Sequence, residues 1–327
     1  MRVGGPDDGF VARTDNPGMS NSSADFHDPR PILVGLDGSE NSEKAMWWAV
    51  DLAVASKRSI RLLASYALPV IMGIGASAGY MPPVLSSEDV HEADMKHRAL
   101  LDSMKDKVLA AHPSLNIEDF LEQGSPVLAL LKAADDCSMI VLGTRGIGGA
   151  HALLMGSTSY AVAHRAKCPV ALVPETSDRT GAGKVIAGVD GSTNAMTAAS
   201  WAADLACAVH RPLELVTAWH YPYAVMAPEM GPMSAPDIEE LRLAMLRDAK
   251  SLVGRVKDRI VADHKQAPPI EVNLYEGSAT DSLVESSKPS DIVVVGSRSH
   301  SVLASVLLGS TALGVAHRST GPVVIVH

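Results

Sequence analysis

The chain has 327 residues, 46% of them hydrophobic and 20% charged, with a net charge of −9. That length holds two ordinary domains, and the composition is globular rather than disordered. The acidic balance argues against nucleic-acid or anionic-membrane partners, which want clustered Lys and Arg; aromatics at 4% argue against a base-stacking platform. The three cysteines, Cys137, Cys168 and Cys207, give neither a disulfide framework nor a Cys-x-x-Cys metal pair, so a reducing cytoplasm is the expected setting. No apolar run reaches the about 18 residues of a membrane span.

Residues 1–30 are rich in Gly, Pro, Asp, Asn and Ser and show neither helical nor strand period; they read as a disordered tail without the apolar core of a secretory signal. "PILVGLD" then reads as a first strand, followed by "GS" and an amphipathic helix over about Ser42–Lys57. "IRLLASYAL" is a second strand. A stretch with two methionines, Pro69–Pro83, is expected to be a mobile loop that covers a pocket or contacts a subunit. A long helix near Glu88–Ala111, a third strand in "NIEDFLEQG", a short helix in "PVLALLKAADD" and a fourth strand in "SMIVLG" follow. The glycine-rich run "GTRGIGGAHALLMGS" leads into a helix carrying His164, and "PVALV" is a fifth strand.

The whole series then recurs. Asp37 and Asp190, Trp48 and Trp201, Gly124 and Gly277, Gly143 and Gly296, Gly156 and Gly309, His164 and His317, and Pro169 and Pro322 are all 153 residues apart (190 − 37 = 153, and likewise for the rest). A constant offset over seven landmarks is the mark of a duplicated domain. The predicted organisation is a tail at 1–30, a domain at 31–174, a linker at 175–183 and a second domain at 184–327. Strands alternating with helices imply an α/β fold with a parallel sheet covered on both faces.

In such a sheet a ligand binds beyond the carboxyl ends of the strands, where the strand order reverses. With an order 3-2-1-4-5, the loop carrying Asp37, Gly38 and Ser39 faces the loop carrying Gly143, Arg145 and Gly146. Glycines at 143 and 146 are expected to bend through φ > 0 and let backbone amides approach an anion. Gly156, Ser157 and Thr158 open a helix whose N-terminal amides suit phosphate. Asp37 repels a bare phosphate; it suits ribose hydroxyls or a bridging magnesium ion. Arg145 and Arg298 lie in the glycine loops, within reach of a γ-phosphate or as solvated side chains. The second copy keeps Asp190, Gly191, Ser192, Gly296, Gly309, Ser310 and Thr311 but has Ser299 in place of the middle glycine, with His300 beside it. Its site is expected to bind more weakly. His164 and His317 lack an Asp/Ser pair at triad spacing and read as structural; Cys168 reads as a packed thiol.

The "GLDGS" and "GVDGS" starts, the Gly-x-x-Gly-x₉-Gly-Ser pattern and the "AHRAKCPVALV" and "AHRSTGPVVIV" endings together resemble universal stress protein domains, over about residues 31–327 in tandem. The resemblance implies two Rossmann-like, flavodoxin-like five-stranded sheets of order 3-2-1-4-5. It also implies ATP contacts at Asp37, Gly143, Gly146, Gly156, Ser157 and Thr158, with the backbone at Tyr66 and Ala67 touching adenine. By the same resemblance the two copies pair through their fifth strands as a pseudo-dimer, further homodimerisation is expected, and the role is nucleotide-dependent regulation in stress, hypoxia or dormancy. Two alternatives stand beside an ATP-binding regulator: a slow ATPase or nucleotidyl transferase, and a dimerisation module with a vestigial ATP site. "GLDGSE" lacks the paired glycines that a pyrophosphatase-type loop wants.

Overall fold

A computed structural model describes residues 25–66, 87–146, 155–219, 235–298 and 308–327. The methionine-bearing loop Pro69–Pro83, Ala67, Ser299 and His300 lie outside these residues. In the first half, β1 (Ile32–Leu36), β2 (Ile60–Tyr66), β3 (Ile117–Gln123), β4 (Met139–Gly143) and β5 (Val170–Val173) alternate with α1 (Glu40–Ser56), α2 (Ser87–Ala111), α3 (Pro126–Ala133) and α4 (Ser157–Arg165). In the second half, β6 (Val185–Gly188), β7 (Leu213–Trp219), β8 (Ile270–Glu276), β9 (Ile292–Gly296) and β10 (Val323–Val326) alternate with α5 (Thr193–Ala208), α6 (Ala235–Asp263), α7 (Ala279–Glu285) and α8 (Ser310–Arg318). Helices α1 and α5 start two residues before their apolar pattern does. Ser39 and Ser192 are the reason: each side chain accepts from the amide three residues on, Ser42 N and Ala195 N, and caps the helix there.

All ten strands form one sheet, ordered β3-β2-β1-β4-β5-β10-β9-β6-β7-β8. Each half has the predicted order 3-2-1-4-5, with parallel neighbours throughout. The halves meet at β5 and β10, which pair antiparallel. Ala171 faces Val324 at the centre of that pair, and 324 − 171 = 153, the repeat offset itself. The pseudo-twofold axis therefore runs through this residue pair, and the expected pseudo-dimer is built by covering two apolar edges with each other.

The inner strands are largely apolar on both faces because two cores flank the sheet, whereas the edge strands β3 and β8 carry exposed Asp119 and Glu271. Val34, Met46, Ala49, Leu101, Val108, Ala199, Leu205 and Val256 belong to the core under α1, α2, α5 and α6. Leu33, Leu130, Val162, Leu172, Leu283, Val315 and Ile325 belong to the core under α3, α4, α7 and α8. Both cores run unbroken across the junction of the halves. Val170 and Leu172 face one and Ala171 and Val173 the other.

One expectation is corrected. The end of the predicted tail, residues 25–30, is part of the fold. Phe26 is 5% exposed; its ring meets Trp201 of α5 edge-on at 5.1 Å, and the Arg58 guanidinium lies over it at 5.0 Å. His27 Nε2 lies 3.0 Å from Asp204 Oδ1, and the Arg30 guanidinium donates to the carbonyl of Asp135. A lone aromatic in a polar stretch carries no period, so tertiary packing decides its fate. Because Phe26 joins α5 of the second half to residues of the first, Phe26→Ala is expected to lower unfolding free energy by about 3–5 kcal/mol, measured by denaturant titration of the full chain.

Candidate functional site

The ends of β1 and β4 diverge toward α1 and α4 and open a crevice of about 380 Å³, within the usual range for small-molecule pockets. Its deep wall is apolar, from Leu36, Leu63, Leu130, Leu142 and Pro126; its mouth is polar, with Asp37, Arg145, Ser157 and Thr158. Gly35 permits that wall: a Cβ there would sit 2.5 Å from Leu142 Cδ2 and 3.2 Å from Leu130 Cδ2.

Asp37 is shaped by the helix it precedes. Its Oδ1 accepts from the Ser39 amide at 3.0 Å and the Ser39 hydroxyl at 2.6 Å. Gly38, at φ 85°, makes that tight turn. Ser39 then caps α1, which leaves Asp37 Oδ2 turned toward the glycine loop. A Cβ on Gly146 would lie 2.0 Å from that oxygen.

The glycines therefore serve a different purpose from the expected one. Neither Gly143 nor Gly146 has positive φ; among the described residues the glycines that do are Gly38, Gly124, Gly191 and Gly277. Gly146 makes room for the Asp37 carboxylate. Gly143 makes room for α1: a Cβ there would meet the Asn41 carbonyl oxygen at 3.0 Å and its carbon at 3.1 Å. The buried Asn41 side chain completes this contact, donating from Nδ2 to the carbonyl of Arg145 at 3.2 Å. Its Oδ1 is buried without a partner among the described residues. Asn41 escaped the sequence reading, although "GSEN" and "GSTN" in the two copies carry it at the same offset.

Helix α4 begins at Gly156, which has no side chain to cap it, and its first turn holds no acidic residue. The free amides of this turn and the hydroxyls of Ser157 and Thr158 lie at the crevice mouth, where the helix dipole favours an anion. Two bonds fix the turn to β4: the Gly156 amide donates to the Thr144 carbonyl at 2.7 Å, and the Ser159 hydroxyl donates to the Gly143 carbonyl at 2.7 Å.

The Tyr66 side chain turns to α2 and does not line the crevice. Its ring stacks on His97 of α2 at 5.2 Å, its hydroxyl donates to Asp94, and its carbonyl accepts from the Gly124 amide. The alternation of β2 points Leu63 and Ser65 into the crevice instead. Cys137 and Cys168 are buried, and burial pushes their thiols up to about 11 and about 12, so neither presents a thiolate nucleophile.

The equivalent crevice of the second half is about 90 Å³. Asp190, Gly296, Arg298, Gly309 and Thr311 line it. Ser192 caps α5, Gly191 has φ 82°, and Ser310 opens α8. A Cβ on Gly296 would meet the Asn194 carbonyl at 3.0 Å, so the β9–α5 approach repeats the β4–α1 one. Three serines of the first crevice, Ser42, Ser65 and Ser159, have become Ala195, Ala218 and Ala312. Ala312 cannot make the hydroxyl brace that Ser159 gives Gly143.

A doubly wound α/β half with a glycine-walled crevice at its topological switch point defines a class of nucleotide-type folds. The model of the universal stress protein family matches residues 29–174 and again 182–327. The chain belongs to the universal stress protein family, as a tandem of two such domains. It is 28% identical over 302 residues to a universal stress protein of Mycolicibacterium smegmatis, covering 90% of this chain and 96% of that one. A universal stress protein of Mycobacterium tuberculosis is 27% identical over 308 residues, with 90% and 96% covered. Among solved structures, a universal stress protein of Archaeoglobus fulgidus superposes with TM-score 0.60 at 21% identity, over 94% of this chain and 98% of that one.

Because the Gly143 position is occupied by backbone of α1, Gly143→Ala is expected to force α1 away from β4. The cost is that of overpacking, about 1–3 kcal/mol, read as a lowered midpoint in thermal unfolding.

Proposed function

We propose that the first crevice binds ATP and that the protein is a nucleotide-dependent regulator in stress adaptation rather than a fast enzyme. The observation that carries this is the polarity of one cavity: an apolar slot under Leu63, Leu130 and Leu142 at one end, and the uncapped α4 turn opposite Asp37 at the other. The slot suits a purine. The amides of the α4 turn with Ser157, Thr158 and Arg145 suit a polyphosphate, and Asp37 suits ribose hydroxyls. Gly143, Gly146 and Gly156 keep the walls close without intruding.

The donor set also decides how magnesium would be held. Among the described residues no cluster of three His, Cys, Asp or Glu side chains could ligate a metal. A magnesium ion would enter with the phosphates, with Asp37 as its protein carboxylate and water completing its shell.

Hydrolysis needs a base placed to activate water, and Asp37 is already engaged by the Ser39 amide and hydroxyl. The second crevice keeps Asp190, Gly191, Ser192, Gly296, Arg298, Gly309, Ser310 and Thr311 but has lost three hydroxyls and most of its volume, so its affinity is lower.

Calorimetric titration of the full chain with Mg-ATP tests the reading. Asp37→Ala is expected to weaken binding about ten- to hundredfold, as loss of charge-assisted hydrogen bonds does; unchanged affinity would reject the assignment. Steady-state turnover is expected to stay well below about 1 per second, the low end of ordinary enzymes. A value in the enzyme range would replace the regulator with an ATPase. Ala312→Ser, which restores the hydroxyl brace, is expected to tighten the second crevice and leave the first unchanged.

A further inference from the structure

His164, near the end of α4, and His317, near the end of α8, hold equivalent places in the repeat (317 − 164 = 153). Neither lines the crevice of its own half. Both cross the pseudo-twofold axis. His317 Nδ1 accepts a hydrogen bond from the Met155 amide at 3.5 Å, and His164 Nδ1 accepts one from the Leu308 amide at 3.3 Å. Met155 and Leu308 are themselves equivalents (308 − 155 = 153), and both are buried. Each is the residue just before the glycine that opens the crevice helix: Gly156 for α4, Gly309 for α8.

Consecutive amides at each helix start are thus held by different halves of the chain. The Gly156 amide is held within its own half by the Thr144 carbonyl, and the Gly309 amide by the Ser297 carbonyl, both at 2.7 Å. The preceding amide is held from across the junction. For Nδ1 to accept, the ring proton must sit on Nε2; in His164 that nitrogen is buried without a partner among the described residues, and the ring packs on Tyr160 at 4.4 Å. The Nδ1 contact is therefore the polar bond that orients this ring. A buried amide stripped of its acceptor is costly. The segment relaxes by moving, and it carries the first turn of the crevice helix with it.

We propose that His317 is a positioning residue for the first crevice, and His164 for the second, so that each ligand site is completed by the opposite half of the chain. The binding arm of the test rests on reading the first crevice as an ATP site; the exchange arm does not.

The test is amide hydrogen exchange on the full chain, read by peptide and repeated with Mg-ATP, on three variants. His317→Leu removes the acceptor and keeps bulk. His317→Asn keeps an acceptor oxygen the same number of bonds from Cβ as Nδ1. His317→Gln moves that oxygen one bond further, and its contrast with Asn decides the matter if the leucine variant fails to fold. In His317→Leu, exchange is expected to rise at least about fivefold over Met155–Tyr160 in the first half, with a smaller change over Leu308–Leu313 in its own half. ATP affinity falls about five- to hundredfold, the scale of an unpaired buried amide. His317→Asn keeps both near wild type, and His164→Leu gives the mirror pattern. The proposal is overturned if exchange over Met155–Tyr160 does not change, if it changes only in the second half, or if the Leu and Asn variants behave alike. Should the wild-type chain bind no ATP, the ATP reading fails, and the exchange pattern alone decides the role of the histidines.

Discussion

Two four-residue strands, β5 and β10, lie side by side with every residue buried, and their antiparallel hydrogen bonds join two parallel sheets into one. Each strand alone would be an apolar edge with unpaired amides and carbonyls, a surface that attracts other chains. Paired, they place Ala171 against Val324 and continue both cores across the junction. The pairing also brings the end of α4 near the start of α8 and the end of α8 near the start of α4. The reciprocal histidine contacts exist because of that geometry.

Much of this was legible in the sequence, because duplication is its own control. A constant offset of 153 set the domain count and the βα alternation set the sheet class, while the strand order came from the family resemblance. The composition of the fifth strands announced their burial. The site was less legible. The residue types facing Asp37 were readable from glycine spacing, yet the reason for them was not. Gly143 and Gly146 clear space for Asn41 and Asp37, a matter of how closely α1 approaches β4, whereas the positive φ values fall at Gly38 and Gly124. Spacing along a chain cannot separate a glycine needed for its torsion from one needed for its absent side chain. Phe26 was missed for a related reason: its burial is decided by contact with a residue far away in sequence, Trp201.

The two kinds of glycine also fail differently. Around Gly124 there is nothing within 4 Å of a Cβ, and only its φ of 132° resists substitution. Around Gly143 the torsion is ordinary and the space is filled. The first would strain one residue; the second would push apart two elements that together frame the crevice.

The covalent junction has an evolutionary consequence. In a homodimer every substitution is expressed twice, so a change that suits one crevice is imposed on the other. Here the two halves are held together at high effective concentration by one chain, and each always meets the other rather than a copy of itself. Serines at 42, 65 and 159 correspond to alanines at 195, 218 and 312, a difference that two identical subunits could not carry. A covalent pair of this kind can differ between its two crevices while the shared sheet keeps one geometry.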